Sequence, residues 1–289
     1  MNIASHGKAI HRIRKIRGLS QSELGDGIGG QSFISRIEHG LVLPSIDTLL
    51  IISNRLEVSL EYLLESFRTE NFQHITDKKK ELRYLVGQGF YPEALQISKN
   101  ELKAYGSDVD YVCFLKWVEA ISEYKLGKIR YQQCIAKLKE ILESKDTYFS
   151  DRNLFLDVQS SIATVYLSAG MLQQAIKNYE KIIEDDFIYT DENFKVIVLY
   201  NYANALKRNG SFKKGIEISE KAISMAKISG KSVVIGPLYY ILGECKEGLH
   251  FHLDEIKACF DKAIYFFKAY DRLDLIEIMK KEYKKYYEE

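Results

Sequence analysis

Proline is scarce in this chain. Pro44, Pro92 and Pro237 are the only three in 289 residues, and the apolar residues between them recur mostly at three- and four-residue spacing. Long proline-free stretches with that period are helical, and strands have little room. Long hydrophobic runs are lacking too. With no stretch of about 18 apolar residues and no apolar N-terminal segment, neither membrane insertion nor secretion is expected, and a cytoplasmic location follows as the expectation. Four widely spaced cysteines (Cys113, Cys134, Cys245, Cys259) contain no Cys-x-x-Cys pair. That argues against a disulfide framework or a thiolate metal site and for small buried hydrophobes in a reducing compartment. Net charge is nearly absent as well: 41 basic residues face 40 acidic ones, for a formal +1. A non-specific polyanion binder is therefore disfavoured, and any nucleic-acid contact must come from a local patch.

Catalytic constellations are also missing. Paired carboxylates suited to a cleft, a nucleophile with its base, and metal-ligand spacing are not found, so no enzyme, cofactor or metal site is expected. Gly25-Asp-Gly-Ile-Gly29-Gly30 superficially suggests a phosphate loop, but it lies between two helices and lacks the following Lys-Ser/Thr. It reads as turn chemistry. His250-x-His252 lacks a third ligand nearby and reads as an exposed loop feature.

What is present starts with size: 289 residues and 46% hydrophobic content suit two domains of unequal size. Near the N-terminus, Ile10, Ile13 and Ile16 mark the buried face of a first helix, and Gly18 follows where a left-handed residue is wanted. Ser20 and Glu23 form the Ser-x-x-Glu capping box of a second helix, whose free N–H groups and Gln21 side chain are placed to bind a phosphate. Glycines 25, 27, 29 and 30 permit a sharp turn. A third helix from about Gln31 to His39 turns Ile34 and Ile37 inward. Gln31, Ser32, Phe33, Ser35 and Arg36 are left outward as candidates for major-groove contact, because Gln and Arg offer paired donors and an aromatic can meet a thymine methyl. An exposed Phe33 needs a reason, and base or sugar contact is favoured over packing. Lys8, Arg12, Arg14, Lys15, Arg17 and Arg36 outnumber Glu23, Asp26 and Glu38 and supply the basic patch. Pro44-Ser45 opens a fourth helix with Leu49, Leu50, Ile52 and Leu56 apolar, and Ser59 caps a fifth reaching Leu64.

The remainder is built differently. Residues 66–76 hold neither glycine nor proline and are expected to form a linker helix. Beyond it, Gly89, Gly127, Gly170, Gly210 and Gly248 recur at spacings of 38, 43, 40 and 38, the period of stacked helical hairpins. Ala163-x-x-Tyr166-Leu167-x-x-Gly170 with Ala175-Ile176 is the clearest copy, and Asn201-Tyr202-Ala203-x-x-Leu206-x-x-Asn209-Gly210 repeats it. Small residues permit close packing of the paired helices, and each glycine closes the turn between them. Five repeats and a cap from Leu273 to about Tyr287 fill the chain, with a concave groove lined by the first helix of each hairpin. Gln159, Asn201 and Asn204 sit on first helices, near Phe155, Tyr166, Tyr200, Tyr239 and Tyr240. Packing between repeats explains each aromatic at least as well as ligand contact does. Asn201 differs, because a mid-helix asparagine is locally disfavoured and points to a contact.

Leu-Ser-Gln-Ser-Glu-Leu, then Ile-Ser-Arg-Ile-Glu-His-Gly, then Pro-Ser-Ile-Asp-Thr-Leu make residues 6–65 resemble the lambda-repressor-like Xre/Cro-type domain. The hairpins from 77 onward resemble tetratricopeptide repeats. The whole order resembles the Rap/NprR/PlcR/PrgX group of peptide-sensing proteins, in its PlcR-like branch. The resemblance implies an all-α fold: a five-helix helix-turn-helix domain over 1–65, a linker helix over 66–76, and a right-handed solenoid of five degenerate repeats with a C-terminal cap over 77–289. It also implies a cytoplasmic homodimeric transcription factor, usually an activator, that binds a palindromic operator in double-stranded DNA and is switched by a short signalling peptide. Asn201 and Ala205 match groove positions used for peptide contact, and Gln159, Tyr200, Asn204, Pro237 and Tyr240 complete the candidate set. Departures from the group's pattern include Gly87 and Gly89 in place of lysines, Gln159 for an asparagine and Pro237 for a glutamine, which implies a distinct cognate peptide. Three other readings stay open at this level: a helix-turn-helix kept only for dimerisation, a regulator that needs no peptide, and a protein-binding scaffold.

Overall fold

Helix boundaries in the computed structural model, which describes residues 3–66, 72–105, 108–143, 152–185 and 190–286, follow local chemistry closely. The first five helices are α1 (Ile3–Ile16), α2 (Gln21–Gly25), α3 (Gly30–Glu38), α4 (Ile46–Arg55) and α5 (Leu60–Ser66). Ser20 accepts from the Glu23 N–H while Glu23 accepts from the Ser20 N–H, completing the capping box. Ser45 caps α4 and Ser59 caps α5 in the same way. Among the described residues there is no strand.

Ile10, Ile13, Leu24, Ile34, Ile37, Leu49, Ile52, Leu56 and Leu63 form the core of these five helices. One expected member is missing. Ile16 is 75% exposed, and the inward position beside Ile10 and Ile13 is taken by Arg14, only 3% exposed. Leu50 likewise faces outward, at 48% exposure. Gly25 is required by a close approach: a Cβ there would stand 2.4 Å from the Gly30 carbonyl oxygen, so α2 and α3 could not meet.

The hairpins follow: α6 (Phe72–Gln88) with α7 (Tyr91–Ala104), α8 (Val109–Lys125) with α9 (Tyr131–Glu143), α10 (Arg152–Ser168) with α11 (Leu172–Asp185), α12 (Glu192–Arg208) with α13 (Phe212–Ser229), and α14 (Ile235–Gly248) with α15 (Leu253–Ala269). The closing α16 (Leu273–Glu282) is shorter than the expected cap and is followed by a 3-10 turn, Lys284–Tyr286. Of the linker expected over 66–76, residues 67–71 lie outside the described residues, and 72–76 open α6. The chain divides into two compact units, Met1–Val118 and Glu119–Glu289, and the division falls inside α8.

Four of the five predicted turn glycines adopt the left-handed conformation: Gly89, Gly127, Gly170 and Gly210 have φ of 84°, 69°, 76° and 75°. Gly248 does not. It is the last residue of α14, and the left-handed residue of that hairpin is His250, with φ 57°. Gly248 is small for another reason: a Cβ would stand 2.5 Å from the Phe212 ring. With His250 in register, the left-handed positions 170, 210 and 250 are 40 residues apart, so residues 40 apart on α10, α12 and α14 occupy equivalent places.

The core of Glu119–Glu289 is continuous from Ala163 and Tyr179 through Tyr202 and Leu206 to Leu238 and Cys245. A second cluster, with Phe260, Phe267, Ile276 and Met279, seats α16. Cys134, Cys245 and Cys259 are buried and Cys113 is half-buried. Burial pushes the Cys134 and Cys245 thiols up to about 12, where they stay protonated and inert.

Candidate functional site

In the head, α2 and α3 are joined through Gly27, Gly29 and Gly30, all at positive φ. This tight turn leaves one face of α3 uncovered. Gln31, Ser32 and Arg36 are exposed there, and none of the three has a side-chain partner among the described residues. Ser35 is half-buried, and its carbonyl accepts from His39 Nδ1 at 2.7 Å. Phe33 is half-buried rather than free: its ring closes over Gly29, where a Cβ would come within 2.8 Å, and it packs on the head's core.

Behind this face lies a charged clasp that local periodicity does not disclose. Glu38, whose side chain is 2% exposed, accepts from Arg14 Nε at 2.6 Å and Nη2 at 2.9 Å, from Gln21 Nε2 at 2.7 Å, and meets His11 Nδ1 at 2.8 Å. Burial alone would push the Glu38 carboxyl up, but these hydrogen bonds and the Arg14 charge outweigh it and hold it down at about 2. The clasp bears on two expectations. Gln21, expected to reach a phosphate, donates one amide N–H to Glu38 and keeps its second N–H and its Oε1 for other partners. Arg14 was counted in the basic patch, yet its charge is spent inside. Arg17 is diverted as well, donating to the carbonyls of Leu56 and Glu57. Lys8, Arg12, Lys15 and Arg36 remain for the patch. A signal for the clasp was present: Glu38 follows Ile34 and Ile37 at i+4 and i+1, on the inward side of α3.

Along the repeats, the 40-residue register aligns Ser160, Tyr200 and Tyr240 in one column and Thr164, Asn204 and Glu244 in another. Asn201 lies beside them on α12, and Pro237 occupies the first turn of α14, where its missing N–H costs nothing. Asn201 and Asn204 are half-buried, and among the described residues neither side chain has a hydrogen-bond partner. Gln159 Oε1 is buried and has no hydrogen-bond partner among the described residues. Burial pushes the Tyr200 phenol up, and the nearby Arg272 charge acts against it. Tyr240 has its own partners: its hydroxyl donates to Glu282 at 3.1 Å and its ring packs on Phe260 and Tyr283. Glu244 is paired with Lys207 at 2.7 Å and accepts from the Tyr283 hydroxyl. Ala205 must be corrected. It is 0% exposed within the core, so its methyl offers a ligand no surface.

Residues 10–63 match the helix-turn-helix family, and residues 79–288 match the RNPP family C-terminal domain. The chain belongs to the RNPP family. Similar solved structures agree. PlcR of Bacillus thuringiensis in complex with the peptide PapR7 and DNA has a TM-score of 0.86 at 30% identity, covering 96% of this chain and 99% of that one. The apo form of the same protein gives 0.70 at 29% identity, with 96% and 99% covered. ComR from S. thermophilus, solved with DNA and its signalling peptide ComS, shares the fold at a TM-score of 0.62 and 19% identity, covering 98% of this chain and 99% of that one. No curated protein matches in sequence. The RNPP assignment fits a helix-turn-helix regulator with tetratricopeptide-like repeats and not an enzyme. Among the described residues no helix is long and apolar enough to cross a membrane.

Proposed function

We propose that this RNPP protein is a sequence-specific DNA-binding transcription regulator, an activator, gated by a short signalling peptide bound along the first helices of its repeats. The observation that carries the reading is a pair of unpartnered, half-buried asparagines in mid-helix. Among the described residues the Asn201 and Asn204 amides on α12 have no hydrogen-bond partner, and being half-buried they stay within reach of a ligand. An extended peptide offers backbone N–H and C=O groups to such amides. Gln159, Tyr200, Asn204 and Pro237 complete the contact set, with Tyr240 set back behind its own partners.

Gln31, Ser32 and Arg36, with the edge of Phe33 and Ser35, read bases in the major groove, while Lys8, Arg12 and Lys15 meet phosphates. The protein works in the cytoplasm as a homodimer, each head taking one half of a palindromic operator. The domain limits 1–65, 66–76 and 77–289 describe this division of labour. PlcR, solved with both PapR7 and DNA, supports the reading at 30% identity over nearly the whole chain. The test is a gel-shift titration with the synthetic peptide encoded beside the gene. Specific DNA affinity should change on adding peptide, and Asn201→Ala should remove the change without altering the circular dichroism. Equal affinity with and without peptide points to a constitutive regulator, and weak salt-sensitive binding alone points to a scaffold.

A further inference from the structure

Within Met1–Val118, one carboxylate oxygen ties three helices together. Glu101 Oε2 on α7 accepts from the Tyr111 hydroxyl of α8 at 2.7 Å and meets His74 Nε2 of α6 at 2.8 Å. The Glu101 side chain is 12% exposed and Tyr111 is fully buried, so their hydrogen bond is shielded from water, whereas the His74 side chain is 38% exposed and lies at the edge of this shielded group. The His74 ring also stacks on Tyr105 at 5.0 Å, and Tyr105 meets Tyr111 edge-on at 6.1 Å. Asp108 caps the start of α8 by accepting from the Tyr111 N–H, which holds the phenol over Glu101. His74 is the third residue of α6, on the first turn after the segment that leads from the head.

We propose that His74 is a positioning residue: through Glu101 and Tyr111 it pins the first turn of α6 to the α7–α8 pair and so fixes the direction in which the chain leaves the repeats for the head. A mostly buried carboxylate oxygen shared by two contacts makes a directional anchor, because moving α6 replaces the fixed His74 partner of Glu101 by mobile water at the exposed edge. Peptide and DNA play no part in this anchor, so its failure would leave the functional reading untouched.

The experiment uses the full chain with nitroxides on Asp26→Cys in the head and Lys103→Cys on α7, both exposed positions. A Cys113→Ala background removes the half-buried thiol, and the buried cysteines stay unreactive. Labelled chain is diluted with unlabelled chain so that only distances within one chain report. Electron–electron distance distributions are compared for the parent, His74→Ala and His74→Gln, the last offering an amide N–H at similar reach. The expected result is one narrow distribution for the parent and His74→Gln, and at least a doubling of its width for His74→Ala, with matching circular dichroism for all three. A His74→Ala distribution as narrow as the parent's, or a His74→Gln distribution as broad as that of His74→Ala, overturns the proposal.

Discussion

Replacing Glu38 by Ala should damage the head far more than its single charge suggests. The Arg14 side chain is 4% exposed, and its Nε and Nη2 both donate to Glu38. After the substitution the Nη1 bond to the Leu19 carbonyl, at 2.8 Å, and the 3.2 Å contact of Nη2 with His11 Nδ1 remain, and neither partner carries a compensating negative charge. A guanidinium cannot shed its proton, so the variant keeps an uncompensated buried charge, a loss of roughly 3–5 kcal/mol, whereas an exposed pair would cost about 0–1 kcal/mol. A head of this size holds only about 3–9 kcal/mol in total. Amide hydrogen exchange on the full chain is the suitable assay, because it reads the opening of α1 and α3 separately from the repeats. A loss of about 3 kcal/mol corresponds to exchange on the order of a hundredfold faster. Replacing both partners, Arg14→Met with Glu38→Leu, should restore most of the protection, since no charge is then stranded. Protection in Glu38→Ala within about threefold of the parent, or a double variant worse than the single one, would refute the reasoning.

Other consequences concern pH, base contact and packing. The Glu38 carboxyl is held at about 2, against an ordinary 4.5, so its contribution is present above pH 4.5 and is lost as pH falls towards 2. That amounts to roughly 3 kcal/mol, and exchange protection of α1 and α3 should fall across that window. Arg36→Ala or Gln31→Ala should weaken binding at the cognate operator by about 1–3 kcal/mol and relax preference at one base pair, as read by titration against operator variants; full affinity in both would remove these residues from the reader. In Gly243→Ala the new Cβ would stand 2.5 Å from the Phe260 ring. Overpacking of that kind costs about 1–3 kcal/mol, and a melting temperature equal to the parent's would contradict the packing of α14 on α15.

Much of the architecture was readable because helical hairpins leave local marks. The capping box at Ser20 and Glu23, the caps at Ser45 and Ser59, and four left-handed glycines depend on residues close in sequence, and each stands where expected. What escaped depends on distant partners. Apolar spacing favoured Ile16 over Arg14 for the core, and only Glu38, 24 residues away, makes the charged residue the better fit. Gly248 carried the right residue type for a turn, but the Phe212 ring is what demands it. Gln21 commits one amide N–H to Glu38, a partner 17 residues away that local spacing does not reveal. Ala205 matched a family position, but its burial in the core depends on neighbouring helices, which spacing alone does not reveal.

The central claim is that a peptide held by Asn201 governs DNA binding by the head. Its most direct measurement is the operator affinity of the full chain with and without the peptide encoded beside the gene, run in parallel for Asn201→Ala at fixed salt. The account predicts that peptide shifts the parent's affinity by tenfold or more and leaves Asn201→Ala unmoved, with equal basal affinities. A peptide response of the same size in both proteins would contradict it.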